Sequence, residues 1–207
     1  MAGERSTMLL KHRPPHIQSQ PAKLRDGLEH IDQSSIAVLR WLNANKVDYV
    51  LVGAVARRVR GEVDTAGPVA IVPAPYGRNY ERLCNALVGE HAGLRTEGGL
   101  RGLARPTAEP VRLTAEKLAR GKRWMLRCGD YDLDVESEGS RPVEGKPADA
   151  RGPRYQELLY EASRVELAEG VSVEVASPED LEHFSHVRRT GSAPEFRVIR
   201  KAPARRT

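Results

Sequence analysis

The stretch VGAVARRVRGEVDTAGPVAIVPAP, residues 52–75, decides the fold of this chain. The apolar run YVLV ends at Gly53, where a glycine turn opens into a short predicted helix over residues 54–60. PVAIVPAP then predicts a second short strand, because it is apolar and Pro73 ends it. A strand that leads through glycine into a helix is typical of sites that hold phosphate groups at a helix N-terminus.

The segments on both sides of this unit predict alternating helices and strands. A helix is expected over residues 36–45, with Ser34 or Ser35 as its N-cap, and another over residues 177–189, with Ser177 as its N-cap. Further helices are predicted over 79–90 and 155–162, a hairpin over 123–129 and 131–135, and two strands over 163–177 about Glu169-Gly170, while 93–110 gives no assignment. This order predicts an α/β (α+β) fold with a mixed sheet flanked by helices.

The net charge of +5 is unevenly distributed along the chain. Residues 1–23 carry four Lys/Arg and one acid, and residues 188–207 carry seven Lys/Arg and one acid. The two ends are thus net +3 and +6, and the body, residues 24–187, is net −4. We therefore expect an extended basic tail over 1–23, one domain over 24–190, and a basic C-terminal tail over 191–207.

Composition bounds the class of protein. The chain is 40% hydrophobic and 29% charged, as in a soluble globular domain, and it has no apolar run of about 18 residues that could span a membrane. Its first residues lack the apolar core of a secretory signal. Cys84 and Cys128 are expected to be buried free thiols, and the expected location is cytoplasmic.

Several segments, taken in order, resemble a known family. They are YVLVGAVARRVRG, AIVPAP, NYERLCNAL, LRCGDYDLDV and the stretch from YQELLYEA to SPEDLEHF. Over roughly residues 34–190 the chain resembles the nucleotidyltransferase superfamily, and within it the small prokaryotic branch of minimal-nucleotidyltransferase and antitoxin-like proteins. The resemblance implies a nucleotidyltransferase-like fold and a Gly-Gly or Gly-Ser turn whose amides face a nucleotide triphosphate. Gly53 matches the first position of that turn and Ala54 the second, so both are candidate nucleotide-binding residues.

The resemblance also implies three strand acids that hold two Mg²⁺ ions, and this chain keeps only part of that set. Two acids are implied at positions where the chain has Pro68 and Ala70. The third matches Asp134, and Asp132 lies two residues earlier on the same strand face. A lone carboxylate cannot replace a two-metal clamp, whose loss lowers the rate on the order of a thousandfold. Asp134, with Asp132, is therefore a catalytic or metal residue only if the chain is active; the plainer alternative is a solvated strand face whose carboxylates pair with nearby arginines.

Two further patterns could supply metal ligands. Glu62 and Asp64 are spaced by two, and a shifted strand would present them in place of the missing acids. Their segment contains turn residues and lacks a following apolar run, so we expect a loop there. His183 and His186 share a helix face, but the sequence offers no third ligand of suitable spacing.

Basic residues are the candidates for contact with a partner, because arginine and lysine neutralise phosphates or an acidic protein surface. They are Arg57, Arg58 and Arg60 after the glycine turn, and Arg188, Arg189, Arg197, Arg200, Lys201, Arg205 and Arg206 near the C-terminus. The alternative for the first three is an exposed helix face, and for the tails it is plain solvation.

We expect a catalytically degenerate nucleotidyltransferase-fold protein that acts as a binding or regulatory module. Its basic tails would contact nucleic acid or an acidic protein, and no cofactor is expected. The first alternative is an active, divergent nucleotidyltransferase that uses Mg²⁺ and NTP and transfers NMP to a protein or RNA. The second alternative is a structural subunit of a larger assembly.

Overall fold

One mixed sheet organises the chain in the computed structural model, which describes residues 14–62, 64–95, 108–120, 123–136 and 153–186. The strands are β1 (Tyr49–Val52), β2 (Val69–Pro73), β3 (Gly93–Arg95), β4 (Ala108–Pro110), β5 (Trp124–Cys128), β6 (Tyr131–Val135), β7 (Ser163–Ala168) and β8 (Val171–Val175). The helices are α1 (Gln33–Ala44), α2 (Gly53–Val59), α3 (Gly77–Gly89), α4 (Ala115–Ala119), α5 (Tyr155–Glu161) and α6 (Pro178–His186). The predicted α/β class with a mixed sheet flanked by helices is confirmed at this level.

The described strands lie in the order β4-β3-β5-β6-β2-β1-β8-β7. β1 pairs antiparallel with β2 and parallel with β8, and β2 pairs parallel with β6. In this register Val52 lies opposite Ala70, and Ala70 lies opposite Asp134. Position 70 and Asp134 are therefore direct neighbours on one face of the sheet.

The two central strands carry the continuous apolar runs that identify them in the sequence. β1 and β2 are buried along their whole length, which is the pattern of strands covered on both faces. β8 instead alternates between buried and half-buried positions. The strands predicted over 123–129 and 131–135 form the expected antiparallel hairpin, and Gly129 takes a φ of +60° in its turn.

The start of α1 corrects one prediction. The N-cap is Asp32 and not Ser34 or Ser35, and the helix begins three residues before the predicted position 36. The Asp32 carboxylate accepts a hydrogen bond from the backbone N–H of Ser35 at 2.7 Å. A charged carboxylate is a stronger acceptor for this amide than a serine hydroxyl, so the cap lies upstream of both serines.

The last described helix begins as predicted. Ser177 is followed by Pro178 at the first position of α6, and the Ser177 hydroxyl accepts a hydrogen bond from the N–H of Asp180 at 3.1 Å. This contact satisfies one of the free amides at the helix N-terminus.

Three short elements were not predicted from the sequence. β3 and β4 lie at the two ends of the segment 93–110, and α4 follows them with Thr114 as its N-cap. Each has three to five residues, which is too few to establish an apolar period.

Residues 14–23, the first described residues, form no helix or strand, and they contact the body. The N–H of Ile17 donates to Glu90 at 2.8 Å, and Gln33 both accepts from Ala22 N–H and donates to its carbonyl. Leu24 then forms a bridge to β7. Residues 1–13 and 187–207 lie outside the described part of the chain.

Two simpler expectations can be checked directly. Cys84 and Cys128 are both buried free thiols, as predicted. Among the described helices, none has the length and the apolar character needed to cross a membrane.

Candidate functional site

The glycine turn lies where β1 ends and α2 begins. Gly53 has a φ of +69°, in the left-handed region that glycine adopts without strain. The buried Ala54 follows it as the second helical residue. The turn that the resemblance assigns to nucleotide binding therefore has the expected strand-to-helix geometry.

The second strand brings no acid to this site. Ala70 lies within β2, and Pro68 immediately precedes that strand. Across the parallel pair, Asp134 is the neighbour of Ala70, and Asp132 lies opposite Arg127 in the hairpin. The prediction that Asp132 and Asp134 share a strand face is confirmed, because both point to the side that carries Ala70.

Asp134 is held by two arginines. Its side chain is 0% exposed. Arg95 Nη2 donates to Oδ1 at 2.9 Å, and Arg123 Nη2 donates to Oδ2 at 2.8 Å. Each carboxylate oxygen thus has a charged donor of its own, which is the strong form of hydrogen bond.

The flanking acids of β6 are paired in the same way. Arg127 Nε lies 2.6 Å from Asp132 Oδ1, and Arg95 Nη1 lies 3.6 Å from Asp132 Oδ2. Glu136, which follows β6, has its Oε1 at 3.0 Å from Arg123 Nε. We call this set the arginine–acid cluster; its members are Arg95, Arg123, Arg127, Asp132, Asp134 and Glu136. Three guanidinium groups balance three carboxylates, so the cluster carries no net charge.

The cluster does not fit a pair of magnesium ions. Guanidinium groups lie against both oxygens of Asp134, where a metal would have to bind, and Ala70 offers no ligand beside it. Within the described residues, no group of three or more His, Cys, Asp or Glu side chains is arranged to hold a metal ion. The carboxylates of this cluster can act as ligands or bases only by giving up their arginine partners.

The remaining candidate metal ligands lie apart from the cluster. β2 begins at Val69, so Glu62 and Asp64 lie in the connection after α2 and not on the strand, as the turn residues of that segment indicate. Glu62 forms an ion pair with Arg57 at 3.0 Å. His183 and His186 belong to α6, and their side chains lie outside the described part of the structure.

The three arginines of the glycine turn make contacts within the fold. Arg57 is buried and donates to the carbonyl of Leu181 at 2.7 Å, which joins α2 to α6. Arg60 donates through Nε and Nη2 to the carbonyls of Ala176 and Val175, at the end of β8. Each of these contacts is a structural role, and contact of these arginines with a nucleic acid stays a prediction. The seven basic residues predicted near the C-terminus lie outside the described residues.

A cleft of about 440 Å³ opens beside the end of the sheet where β2 begins. Its lining includes Pro68, Asp132, Asp32 and Arg58. Arg58 Nη1 lies 2.6 Å from Asp32 Oδ2. Partial burial acts to raise the pKa of Asp32, but hydrogen bonds from Ser34, Ser35 and Arg58 outweigh it and lower the pKa to about 2. Asp32 and Arg58 of this cleft are thus paired with each other.

Comparisons with protein-family models, curated proteins and solved structures find no match for this chain. Its function is therefore inferred from the fold and from the side chains that the fold brings together.

Pairing with nearby arginines was one alternative at the sequence level for Asp132 and Asp134, but which arginines these are was not identified there. The hairpin register about Gly129-Asp130 would have placed Arg127 opposite Asp132, because residues that face each other in an antiparallel pair share a side of the sheet. Arg95 lies on β3, in the segment without an assignment, and no local pattern connects it to Asp134.

Proposed function

We propose that this chain is a catalytically degenerate nucleotidyltransferase-like protein that acts as a binding or regulatory module. One observation carries the proposal: both oxygens of Asp134 are bound by Arg95 and Arg123, beside an alanine where the resemblance implies an acid. In an active site, metal ions would supply the positive charge beside this carboxylate. Here Arg95 and Arg123 supply it.

The connection of the central elements supports the nucleotidyltransferase-like part of the proposal. A strand runs through a glycine turn into a helix, an antiparallel neighbour follows, and a parallel third strand carries the remaining acid. These are the elements that the resemblance implies, in the order in which it implies them.

The charge distribution supports a partner with negative charge. The ends of the chain are net +3 and +6, whereas the body is net −4. Clustered arginine and lysine residues bind polyanions through phosphate or carboxylate groups, with little dependence on sequence. Nucleic acid is the partner favoured here, and an acidic protein is the other source of such charge.

The catalytic part of the proposal is tested by nucleotide transfer. The full chain is incubated with Mg²⁺ or Mn²⁺, each labelled NTP, and RNA or protein acceptors, and we expect no metal-dependent labelling. Calorimetry with the same nucleotides and metals is expected to give no binding heat at the arginine–acid cluster.

The decisive variants are Asp134→Asn and the half-exposed Asp132→Asn, with Arg120→Ala on the α4 surface as a matched control. Labelling that a folded Asp132→Asn or Asp134→Asn variant loses, and that Arg120→Ala keeps, would overturn the proposal in favour of an active, divergent nucleotidyltransferase. Because Asp134 is buried, circular dichroism of each variant is needed to separate lost chemistry from lost folding.

A further inference from the structure

A second cleft lies at the opposite end of β1 from Gly53. It has a volume of about 880 Å³, in the range of sites that hold nucleotide-sized ligands. Its walls come from the end of α1, the starts of β1 and β8, the residues after β2, and α5. The arginine–acid cluster does not contribute to it, so this cleft is separate from the site described above.

Aromatic side chains dominate one wall of this cleft. Tyr76 is 45% exposed, and its hydroxyl donates a hydrogen bond to Asp48. Tyr155 is buried behind it, and burial together with Asp48, Tyr76 and Glu174 raises the pKa of Tyr155 to about 12. The ring of Tyr76 is therefore an accessible apolar surface, anchored at its hydroxyl end.

Basic side chains lie on the cleft and beside it. Lys46 and Arg164 line the cleft, and Arg82 donates to the carbonyl of Lys46 at 2.9 Å. Arg82 Nη1 also lies 3.4 Å from Oδ2 of Asp48, the carboxylate that accepts from the Tyr76 hydroxyl, and Arg78 follows Tyr76 by two residues. Arg164 is 3.7 Å from its partner Glu174, and its side chain is 76% exposed.

The local charge has the opposite sign to that of the body. The charged residues that line the cleft, Lys46, Arg164, Asp48 and Glu174, sum to zero. Arg78 and Arg82 beside the cleft bring the sum to +2, whereas the body as a whole is net −4. A positively charged surface around an exposed aromatic ring is the combination that binds single-stranded nucleic acid, because phosphates meet the cations while a base stacks on the ring.

We propose that this cleft binds a single strand of nucleic acid, with a base on the Tyr76 ring and phosphates on the surrounding cations. The inference rests on the proposed function in taking nucleic acid as the partner, and it adds a contact surface on the body to the basic tails. A duplex is disfavoured, since a paired and stacked base cannot reach the ring. The exposed amide of Gln156, on the α5 side of the cleft, can bond a base edge.

The test measures binding of the full chain by fluorescence anisotropy. The probes are labelled oligothymidylate and oligouridylate of about ten nucleotides, and a duplex of the same length. Tyr76→Ala is expected to weaken binding of both single strands about tenfold and to leave duplex binding unchanged, because only unpaired bases stack on the ring. Tyr76→Phe keeps the ring and is expected to keep most of the affinity.

Two matched controls accompany these variants. Tyr160→Ala removes a tyrosine that is 85% exposed on α5 and does not line the cleft, and no change is expected. Lys46→Ala combined with Arg82→Ala should make the salt dependence shallower by about 1.4 units of log–log slope on single strands, whereas Arg120→Ala on α4 should not.

The results separate this inference from the proposed function. Single-strand binding that Tyr76→Ala leaves intact overturns the cleft, even if removal of residues 191–207 lowers binding and supports the tails. If Tyr76→Ala weakens single-strand binding and removal of residues 191–207 has no effect, the cleft is supported as the contact surface and the C-terminal tail is rejected. Failure of the wild-type chain to bind any probe rejects nucleic acid for both. Polyglutamate that competes as well as unlabelled oligonucleotide overturns the cleft in favour of an acidic protein.

Discussion

At the scale of single residues, the most informative contact is the one between Asp134 and its two arginines. A buried carboxylate is costly unless its charge is matched and its oxygens are bonded, and Arg95 and Arg123 meet both requirements. The same pairing removes the negative charge that would attract a metal. One arrangement thus explains how a buried acid is accommodated on β6 beside Ala70.

Asp134→Asn is expected to destabilise the protein strongly. The variant leaves two buried guanidinium groups facing a neutral amide, and loss of one partner of a buried ion pair costs about 3 kcal/mol. Urea unfolding at pH 7 measures the change in the free energy of unfolding. Asp130→Asn, in the exposed hairpin turn, is the matched control and should stay within about 0.5 kcal/mol of wild type. Equal stability of Asp134→Asn and wild type would mean that the arginines do not depend on this carboxylate.

Asp32 makes a pH-dependent contribution to stability. Its pKa of about 2 in the folded chain lies below the value near 4 of an unfolded chain. Its contribution is therefore fully present above about pH 4 and is lost as the pH falls towards 2. Asp32→Ala is expected to cost about 1 kcal/mol at pH 7, as for other helix N-caps, and the difference from wild type should shrink between pH 4 and pH 2. Unfolding of both proteins at several pH values measures this, with the exposed Asp26→Ala as a control. A difference that stays constant with pH would contradict the role given to the carboxylate.

At the scale of elements, the sequence predicts the parts of the fold that carry an unbroken apolar run or a regular apolar period, and it misses three elements that carry neither. β1 and β2 are identifiable because they are unbroken apolar runs, and β7 and β8 because polar and apolar residues alternate about a glycine turn. β3, β4 and α4 have too few residues to show a period, and their conformation depends on pairing with β5 and packing against α3. The N-cap of α1 was misplaced because three of the four positions 32–35, Asp32, Ser34 and Ser35, carry side chains that can cap a helix.

The candidate sites also divide into features that depend on local sequence and features that depend on long-range contacts. The turn at Gly53 and the shared face of Asp132 and Asp134 depend on neighbours in sequence, and both were predicted. Arg95 and the cleft around Tyr76 depend on segments that are distant in sequence and meet only when the sheet is complete. Local sequence patterns contain no information about such long-range contacts, so neither the role of Arg95 nor the cleft could be inferred from the sequence alone.

The junction of β1 and α2 depends on the conformation of Gly53. An alanine with a φ of +69° brings its Cβ close to the following carbonyl, which costs about 1–2 kcal/mol. Gly53→Ala is therefore expected to destabilise the protein by that amount in thermal or urea unfolding. Gly77→Ala is the matched control at the start of α3, where a Cβ meets open space and φ is not positive, so its effect should be neutral or slightly stabilising. Similar losses in both variants would exclude the left-handed conformation as the cause.

At the scale of the whole molecule, α6 and the cleft around Tyr76 lie at different ends of the sheet. α6 follows β8 at the end where Gly53 lies, and Arg57 joins it to α2. The cleft around Tyr76 lies at the other end of β1. A partner that contacts both the cleft and the end where α6 lies would have to follow the body between them, which favours an extended polyanion over a small ligand.

The basic C-terminus gives the prediction that depends least on the details of either site. Deleting residues 191–207 removes five of the seven basic residues that follow position 187 and leaves α6, which ends at His186, in place. Because the deletion lies beyond the last described helix, we expect the truncated chain to unfold at the temperature of the full chain.

If the deleted residues neutralise about five phosphates, the full chain should bind duplex DNA with a log–log salt slope near −4, and the truncated chain with a slope much closer to zero. Binding should be nearly indifferent to base sequence if these arginines contact phosphates, because phosphate contacts carry no sequence information. A salt titration of duplex binding by the two chains measures both quantities. Equal affinity and equal slope would mean that the C-terminus is not the contact surface, and the charge responsible would then have to lie on the body, where the cations around Tyr76 are the first to substitute.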